Sequence, residues 1–267
     1  KDKNSLNKYF NIREKIEILE IKTNNPLYSI KKQIKLLLRF LNKNKLILED
    51  NNLSTLGYIV SEISDCNPII LAHIIENGCL DELELSEIVS LLSIFINDGG
   101  IRSNNEPSLK ELLDNKIINK KFYNILNKIS DFTYNFGTNE NDINDNRNKN
   151  KLPYPIDSDW ELHLKLFQSA KLWAEGKCWN EAIKSYKDLC IDRFKAKKRY
   201  NSENNINIPS SYEGNFIKNI LRLTNIVRSV ASISNIINNH TIAMKLEGFQ
   251  EKLIRNEVTN DSLYQLK

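Results

Sequence analysis

Apolar residues recur along this chain with a helical period in segment after segment, and one segment leaves almost no polar side. Between Tyr212 and His240, Phe216, Ile220, Leu223, Ile226, Val227, Val230, Ile233 and Ile237 share a broad face at about 100° per residue. Ile217 and Leu221 lie towards the other side. Pro209, Ser210 and Ser211 precede the run, Glu213 suits a first turn, and Asn238 and Asn239 close it. With no proline inside, the pattern predicts one long helix buried nearly all round. What stays polar is a narrow stripe of Asn215, Lys218, Arg222, Asn225, Ser229 and Ser232, with Asn219 as a further candidate. Such a helix suits the wall of a groove or channel, its amides, hydroxyls and two cations facing something polar.

The rest of the chain is read against that helix. Residues 1–24 carry Ile12, Ile16 and Leu19 at helical spacing, stopped by Asn24-Asn25-Pro26. A second helix over 29–42 shares Ile30, Ile34, Leu37, Leu38 and Leu41. A short strand over 45–49, a turn at Asp50-Asn51-Asn52 and a second strand from Leu53 towards Ile63 predict the end of a winged helix with its β-wing. Pro68 opens a short helix that ends near Asn77-Gly78. Ser86 reads as the N-cap of an apolar helix reaching Ile96, closed by Asp98-Gly99-Gly100. A helix or helix pair follows over 108–132. Residues 137–151 are polar and read as a looped insert. Asp159 caps a helix from Trp160 to Ala174, the run Glu175-Gly176-Lys177 breaks it, and another covers 179–191. A basic run and an Asn-rich insert at 201–208 lead into the long helix, and an apolar-periodic segment over 241–258 ends the chain. The fold class is mainly α: a helical bundle over 66–267, preceded over 1–65 by a helix and half a winged helix.

Composition changes this picture little. The 267 residues allow a sizeable core. A net charge of +4, with acids and bases well mixed, permits a nucleic-acid partner without demanding one. Cys66, Cys79, Cys178 and Cys190 have neither CxxC nor zinc-type spacing and read as small packed residues in a reducing compartment. No apolar run is long enough to span a bilayer, and the Asn-rich start is not a signal peptide. The expectation is an intracellular, soluble fragment of something longer, since Lys1 stands where an initiator Met would.

Candidate chemistry is sparse. There is no phosphate loop, dinucleotide turn or nucleophile elbow. His73, His163 and His240 are far apart and read as packing or solvent residues, so no metal or catalytic residue is expected. The acids Asp81, Glu82, Glu84 and Glu87 suit a helix N-terminus. Trp160, Trp173 and Trp179 read as core. The run Arg193, Lys195, Lys197, Lys198 and Arg199, with Phe194 and Tyr200, has two readings: a solvated charge run, the commoner case, and an accessory nucleic-acid patch.

Five strings, in order, carry a resemblance. LSTLGYIVSEIS (53–64) resembles the Leu-x-x-x-Gly-x-x-Ala-x-Glu-Ile string that leaves the winged helix in Ski2/Mtr4-like DExH RNA helicases, with Val60 in place of Ala. Residues 67–96 are similar to that group's paired helices. KLWAEGKCWNEAI (171–183) resembles its Trp-Ala-x-Gly-x-x-Phe-x-x-Ile string. YEGNFIKNILRLTNIVRSVASI (212–233) resembles its Glu-Gly-x-x-Ile-Arg-x-x-x-Arg-Leu helix. LIRNEVTNDSLY (253–264) resembles its terminal Arg-Asp-Ile-Val-x-x-x-Ser-Leu-Tyr.

The resemblance implies the C-terminal part of such a helicase, whose bundle packs over two RecA-like motor domains and completes a channel for single-stranded RNA. ATP and Mg would then be bound elsewhere in the parent protein, which would unwind RNA for processing or decay beside an exosome-like complex. The helix opened by Glu213-Gly214 would be the family's ratchet helix. Arg222 stands at its second basic position and Lys218 at the first, where the family has Arg. Lysine gives up planar stacking and bidentate bonding, so Lys218 is expected on phosphate. The alternative is an all-helical protein–protein scaffold with no nucleic-acid role.

Overall fold

The structure, a computed structural model, describes residues 9, 12–16, 26–97, 108–145, 161–190 and 211–259. Among them it is helical, with one isolated bridge in place of a sheet. The chain divides into two compact units, Lys1–Gly57 with Thr138–Asp157, and Tyr58–Gly137 with Ser158–Lys267.

In the first unit, helix α1 (Pro26–Lys43) ends in a corner where Leu46 N–H donates to Leu41 O (2.9 Å). Phe40, Leu46 and Ile47 are buried, whereas Ile30, Ile34, Leu37 and Leu38 stay 37–50% exposed. Ile12 and Ile16 are exposed as well. The expected β-wing is reduced to a single antiparallel bridge between Ile47 and Leu53. The turn between them is tight: Leu48 N–H donates to Asn52 O (2.8 Å), and Asn51 takes a left-handed φ of 63°. The Asn52 backbone N–H donates to the Asp50 carboxylate (3.1 Å), which holds that carboxyl below its ordinary pKa. The second strand fails because Ser54 starts a helix. Its hydroxyl accepts from Gly57 N–H (3.0 Å), capping α2 (Thr55–Ser61), so the backbone after Leu53 turns away from the ladder.

The second unit is built on α3 (Pro68–Glu76), α4 (Leu85–Leu92) with a 3₁₀ turn (Ser93–Phe95), α5 (Leu109–Asp114), α6 (Lys120–Asp145) as far as Gly137, α7 (Phe167–Ala174), α8 (Trp179–Cys190), α9 (Ser211–Ile236), α10 (His240–Lys245) and α11 (Phe249–Leu253). Asn67 caps α3, its side chain accepting from Ile69 and Ile70 N–H with Pro68 in the first turn. The cap of α4 is Glu84, not Ser86, and Glu87 returns an acceptor to Glu84 N–H (3.1 Å). A carboxylate there also faces the positive end of the helix, as the acidic cluster suggested.

Two further boundaries differ from the pattern reading. The backbone of α6 stays helical to Asp145, through residues expected to loop, because extending an established helix needs no new nucleus. Residues 146–151 of that insert lie outside the described residues. The helix expected from Trp160 begins only at Phe167. Before it, His163, Leu164, Lys165 and Leu166 are buried in succession, and His163 N–H donates to Ile94 O (2.9 Å). The segment is non-helical over 161–164 and turns at Lys165 and Leu166, where Phe167 N–H donates to Leu164 O (3.3 Å).

α7 is the packing hub, contacting α4, α8, α11 and the 3₁₀ turn. Ser90 reaches across to it, donating to Phe167 O (2.8 Å). An aromatic cluster ties α7, α8 and α9 together. The Trp173 ring meets Trp179 and Phe216 edge-on at 6.0 and 6.1 Å, and Phe216 also contacts Trp179 and Tyr186, both at 5.5 Å. Trp173, Tyr186 and Phe216 have no exposed surface, as aromatic core residues should, while Trp179 is half-buried.

His73 stacks on Phe132 with ring centroids 3.4 Å apart. The Asn77 side-chain amide donates to His73 O (2.8 Å), which fixes its nitrogen as the atom 3.0 Å from His73 Nδ1. Nδ1 must then accept, as in the neutral ring. Burial lowers the His73 pKa from its ordinary 6.5, against an opposing pull from Glu76. The unfolded chain therefore takes the proton first. This contribution is complete above the ordinary value and is lost as pH falls below it. His73→Phe keeps the stack and removes the titration, so denaturant melts between about pH 7 and pH 5 should show a shallower pH slope than wild type. An equal slope would mean that His73 is not the group responsible.

Candidate nucleic-acid interface

α9 is clamped by α4, α8, α10 and α11. Phe216, Ile217, Ile220, Leu223, Ile226, Val227, Val230 and Ile233 are each at most 4% exposed. The polar residues on this side are satisfied within the protein: Thr224 and Ser234 donate to carbonyls one turn back, Ile220 O (2.8 Å) and Val230 O (2.7 Å). Asn219 belongs here and not to the stripe. It is 3% exposed and its amide donates to Tyr186 Oη (3.4 Å). It lies about 100° round the helix from Lys218, on the packed side, which removes it from the candidate surface.

The opposite side carries the stripe. Lys218, Arg222, Asn225 and Ser232 are exposed, and Asn215 and Ser229 are half-buried. From Lys218 to Ser232 the stripe runs about 21 Å at about 1.5 Å per residue. The exposed face is wider than the pattern predicted, because Arg228 and Asn235 also lie on it. Arg228 is not part of the predicted stripe because it lies on a neighbouring row of the helix. Its place three residues after Asn225, on the same side of the helix, was countable.

The charge of this face is unopposed. Glu213 is the sole acid of α9, and it is paired with Lys187 of α8 at 3.2 Å. Lys218 makes no hydrogen bond or ion pair among the described residues, and Arg222 makes one long bond, to Asn97 O (3.4 Å). Among the described residues the stripe is an exposed surface. The cavities of about 260 and 400 Å³ near the α5–α6 corner include no α9 residue in their lining.

Among the described residues no group of three His, Cys, Asp or Glu could hold a metal ion. Burial pushes the Cys66 thiol up to about 12, and Cys79 is raised for the same reason, so both are protonated at neutral pH. No described helix is long and apolar enough to cross a membrane. The basic run with Arg193, Lys195, Lys197, Lys198 and Arg199 lies outside the described residues.

A second contact went unread in the sequence. Arg255 lies over the Trp173 ring, 3.7 Å from its centroid, and its Nη2 donates to Trp173 O (2.9 Å) and Lys177 O (2.7 Å). These carbonyls flank Gly176, whose φ of 85° turns the chain from α7 towards α8. Partial burial lowers the Arg255 pKa, with Glu257 opposing. The Trp-Ala-x-Gly string and the terminal Arg string thus meet in space, though about 80 residues apart in sequence.

A sequence profile of the DSHCT (NUC185) domain matches residues 50–260, from the tight turn through α11. The chain belongs to the DSHCT family. This domain is found at the C-terminus of Ski2-like and Mtr4-like DExH helicases, so the chain is a helicase C-terminal region. No curated protein matches it. The DSHCT match covers both partners of the Trp173–Arg255 contact and the whole of α9.

Proposed function

We propose that this DSHCT domain is the RNA-guiding module of an ATP-dependent superfamily 2 helicase, with α9 as one wall of its single-stranded RNA channel. One observation carries the reading: a helix buried along most of its length turns a single acid-free face outward, bearing Lys218, Arg222 and Arg228. A strand tracked by its backbone needs cations along its path and polar groups between them. Lys218 contacts phosphate as a point charge, while Arg222 combines phosphate bonding with stacking against a base. Asn215, Asn225 and Ser229 bond the strand between these cations.

The remaining walls, ATP and Mg belong to motor domains in the same reading. This chain's own residues do not fit a nucleotide: it has no phosphate loop, and no described carboxylate cluster suits a metal. Residues 1–65 contribute part of a winged helix, and an exosome-like decay complex is the partner class that the resemblance suggests. In the intact helicase, Arg222→Ala should lower RNA affinity by roughly tenfold, about 1–2 kcal/mol, and slow unwinding at subsaturating RNA. Circular dichroism should remain unchanged, since Arg222 is exposed. Unchanged affinity in the Lys218→Ala, Arg222→Ala double variant would favour the protein-scaffold reading.

A further inference from the structure

The exposed face of α9 contains one pair whose geometry fixes which atoms it can offer. Arg228 Nη1 lies 2.7 Å from Asn225 Oδ1, and both residues are exposed. A guanidinium has donors and no acceptor, so it must face the oxygen of the amide. The contact therefore takes one lone pair of the Asn225 carbonyl, fixes which end of the amide faces Arg228, and leaves its NH₂ free. Arg228 keeps further N–H groups, and no acid on α9 competes for them, because Glu213 lies in the first turn with Lys187.

Resting on the RNA reading of α9, we propose that Asn225 and Arg228 form a contact unit for RNA oxygens, in which Arg228 is also the positioning residue for Asn225. Free asparagine can turn either end of its amide to a ligand and so meets donors and acceptors alike. Held by Arg228, it keeps its oxygen on the guanidinium and presents its N–H groups away from it, as donors beside those of Lys218 and Arg222. The middle of the stripe thus presents mainly donors, flanked by the hydroxyls of Ser229 and Ser232, which can act either way. The ligands that match are phosphodiester oxygens or base carbonyls.

The test is fluorescence anisotropy on the full-length protein with labelled oligouridine and oligocytidine of equal length at one salt concentration. Asn225→Ala and Arg228→Ala should each weaken oligouridine binding by roughly fivefold, about 1 kcal/mol. The double variant should lose much less than the product of the two, because Arg228 acts partly through Asn225. Arg228→Lys should restore part of the loss, since an ammonium can also donate to Oδ1. Asn225→Asp should bind more weakly than Asn225→Ala, because it turns a negative acceptor towards RNA.

The two oligonucleotides distinguish the oxygens. A loss that falls on uridine alone assigns the unit to uracil O4, and an equal loss on both assigns it to the oxygens they share, phosphate or the pyrimidine O2. If the Asn225 and Arg228 variants bind like wild type while Lys218→Ala weakens binding, this inference is overturned and the RNA reading of α9 survives. If Lys218→Ala and Arg222→Ala are silent too, both fall together.

Discussion

Trp173→Ala should lower the unfolding free energy by about 4 kcal/mol, within the range for removing a buried aromatic residue. The ring has no exposed surface, and its truncation opens a void between α7, α8 and α9. Two polar losses add to the void. The indole Nε1 donates to Leu253 O (2.8 Å) in a buried setting, and that carbonyl would be left without its donor. Arg255 would lose the face it lies on, a contact of about 1 kcal/mol when partly shielded from water. Trp173→Phe keeps a ring but no donor and should fall between wild type and alanine. Arg255→Lys, which keeps the charge but loses the planar fork, should lose about 1–2 kcal/mol. Urea melts would measure these effects as shifts in midpoint at constant slope. A Trp173→Ala loss below about 1 kcal/mol would contradict the central role given to this ring. The consequence reaches the proposed RNA face, because Phe216, one of the rings that Trp173 supports, sits two residues before Lys218 on α9.

Much of this arrangement could be read from periodicity, and the misses have physical causes. The long helix was legible because its apolar residues kept a 3.6-residue period over about six turns, and burial follows that pattern from Phe216 to Ile233. Asn219 was misjudged by composition: amides are usually exposed, yet its angle round the helix put it among the packed residues, where Tyr186 supplies its partner. The segment before α7 carried its own warning. Leu162, Leu164 and Leu166 keep a period of two that a helical stripe does not, and the chain there is non-helical and then turns at Lys165 and Leu166 before α7 begins. The Arg255–Trp173 contact joins residues 82 apart, and no local pattern announces it. The family strings pointed to both residues without saying that they touch. On α1, the apolar face was read correctly as a pattern, but Ile30, Ile34 and Leu37 remain 41–50% exposed, because nothing among the described residues covers them. Periodicity identifies a face that needs cover and is silent on what supplies it.

The glycine of the LSTLGYIVSEIS string has a reason that its spacing alone does not give, and Gly57→Ala should expose it. A Cβ built at Gly57 would overlap the carbonyl oxygen of Leu46, a backbone atom that cannot swing aside. That oxygen already accepts from Ser54 N–H (3.0 Å) and from the Ser54 hydroxyl (3.1 Å), which also bonds Lys45 O (2.7 Å). The same hydroxyl caps α2 by accepting from Gly57 N–H (3.0 Å). One methyl group thus pushes on the helix cap, the Ile47–Leu53 bridge and the corner after α1 together. No side-chain rotation relieves it, so the tight turn must open. A forced backbone shift of this kind carries a penalty of about 2–3 kcal/mol. Hydrogen exchange at Leu46, Leu48 and Ser54 should then speed up by roughly 30- to 150-fold if opening is local. Gly57→Ala with wild-type exchange at these three amides would show that the close approach is not needed. Ser54→Ala provides the counterpart, since it removes the cap without adding volume and should lose only about 1 kcal/mol. If alanine at 57 is milder than alanine at 54, capping and not close approach holds this corner.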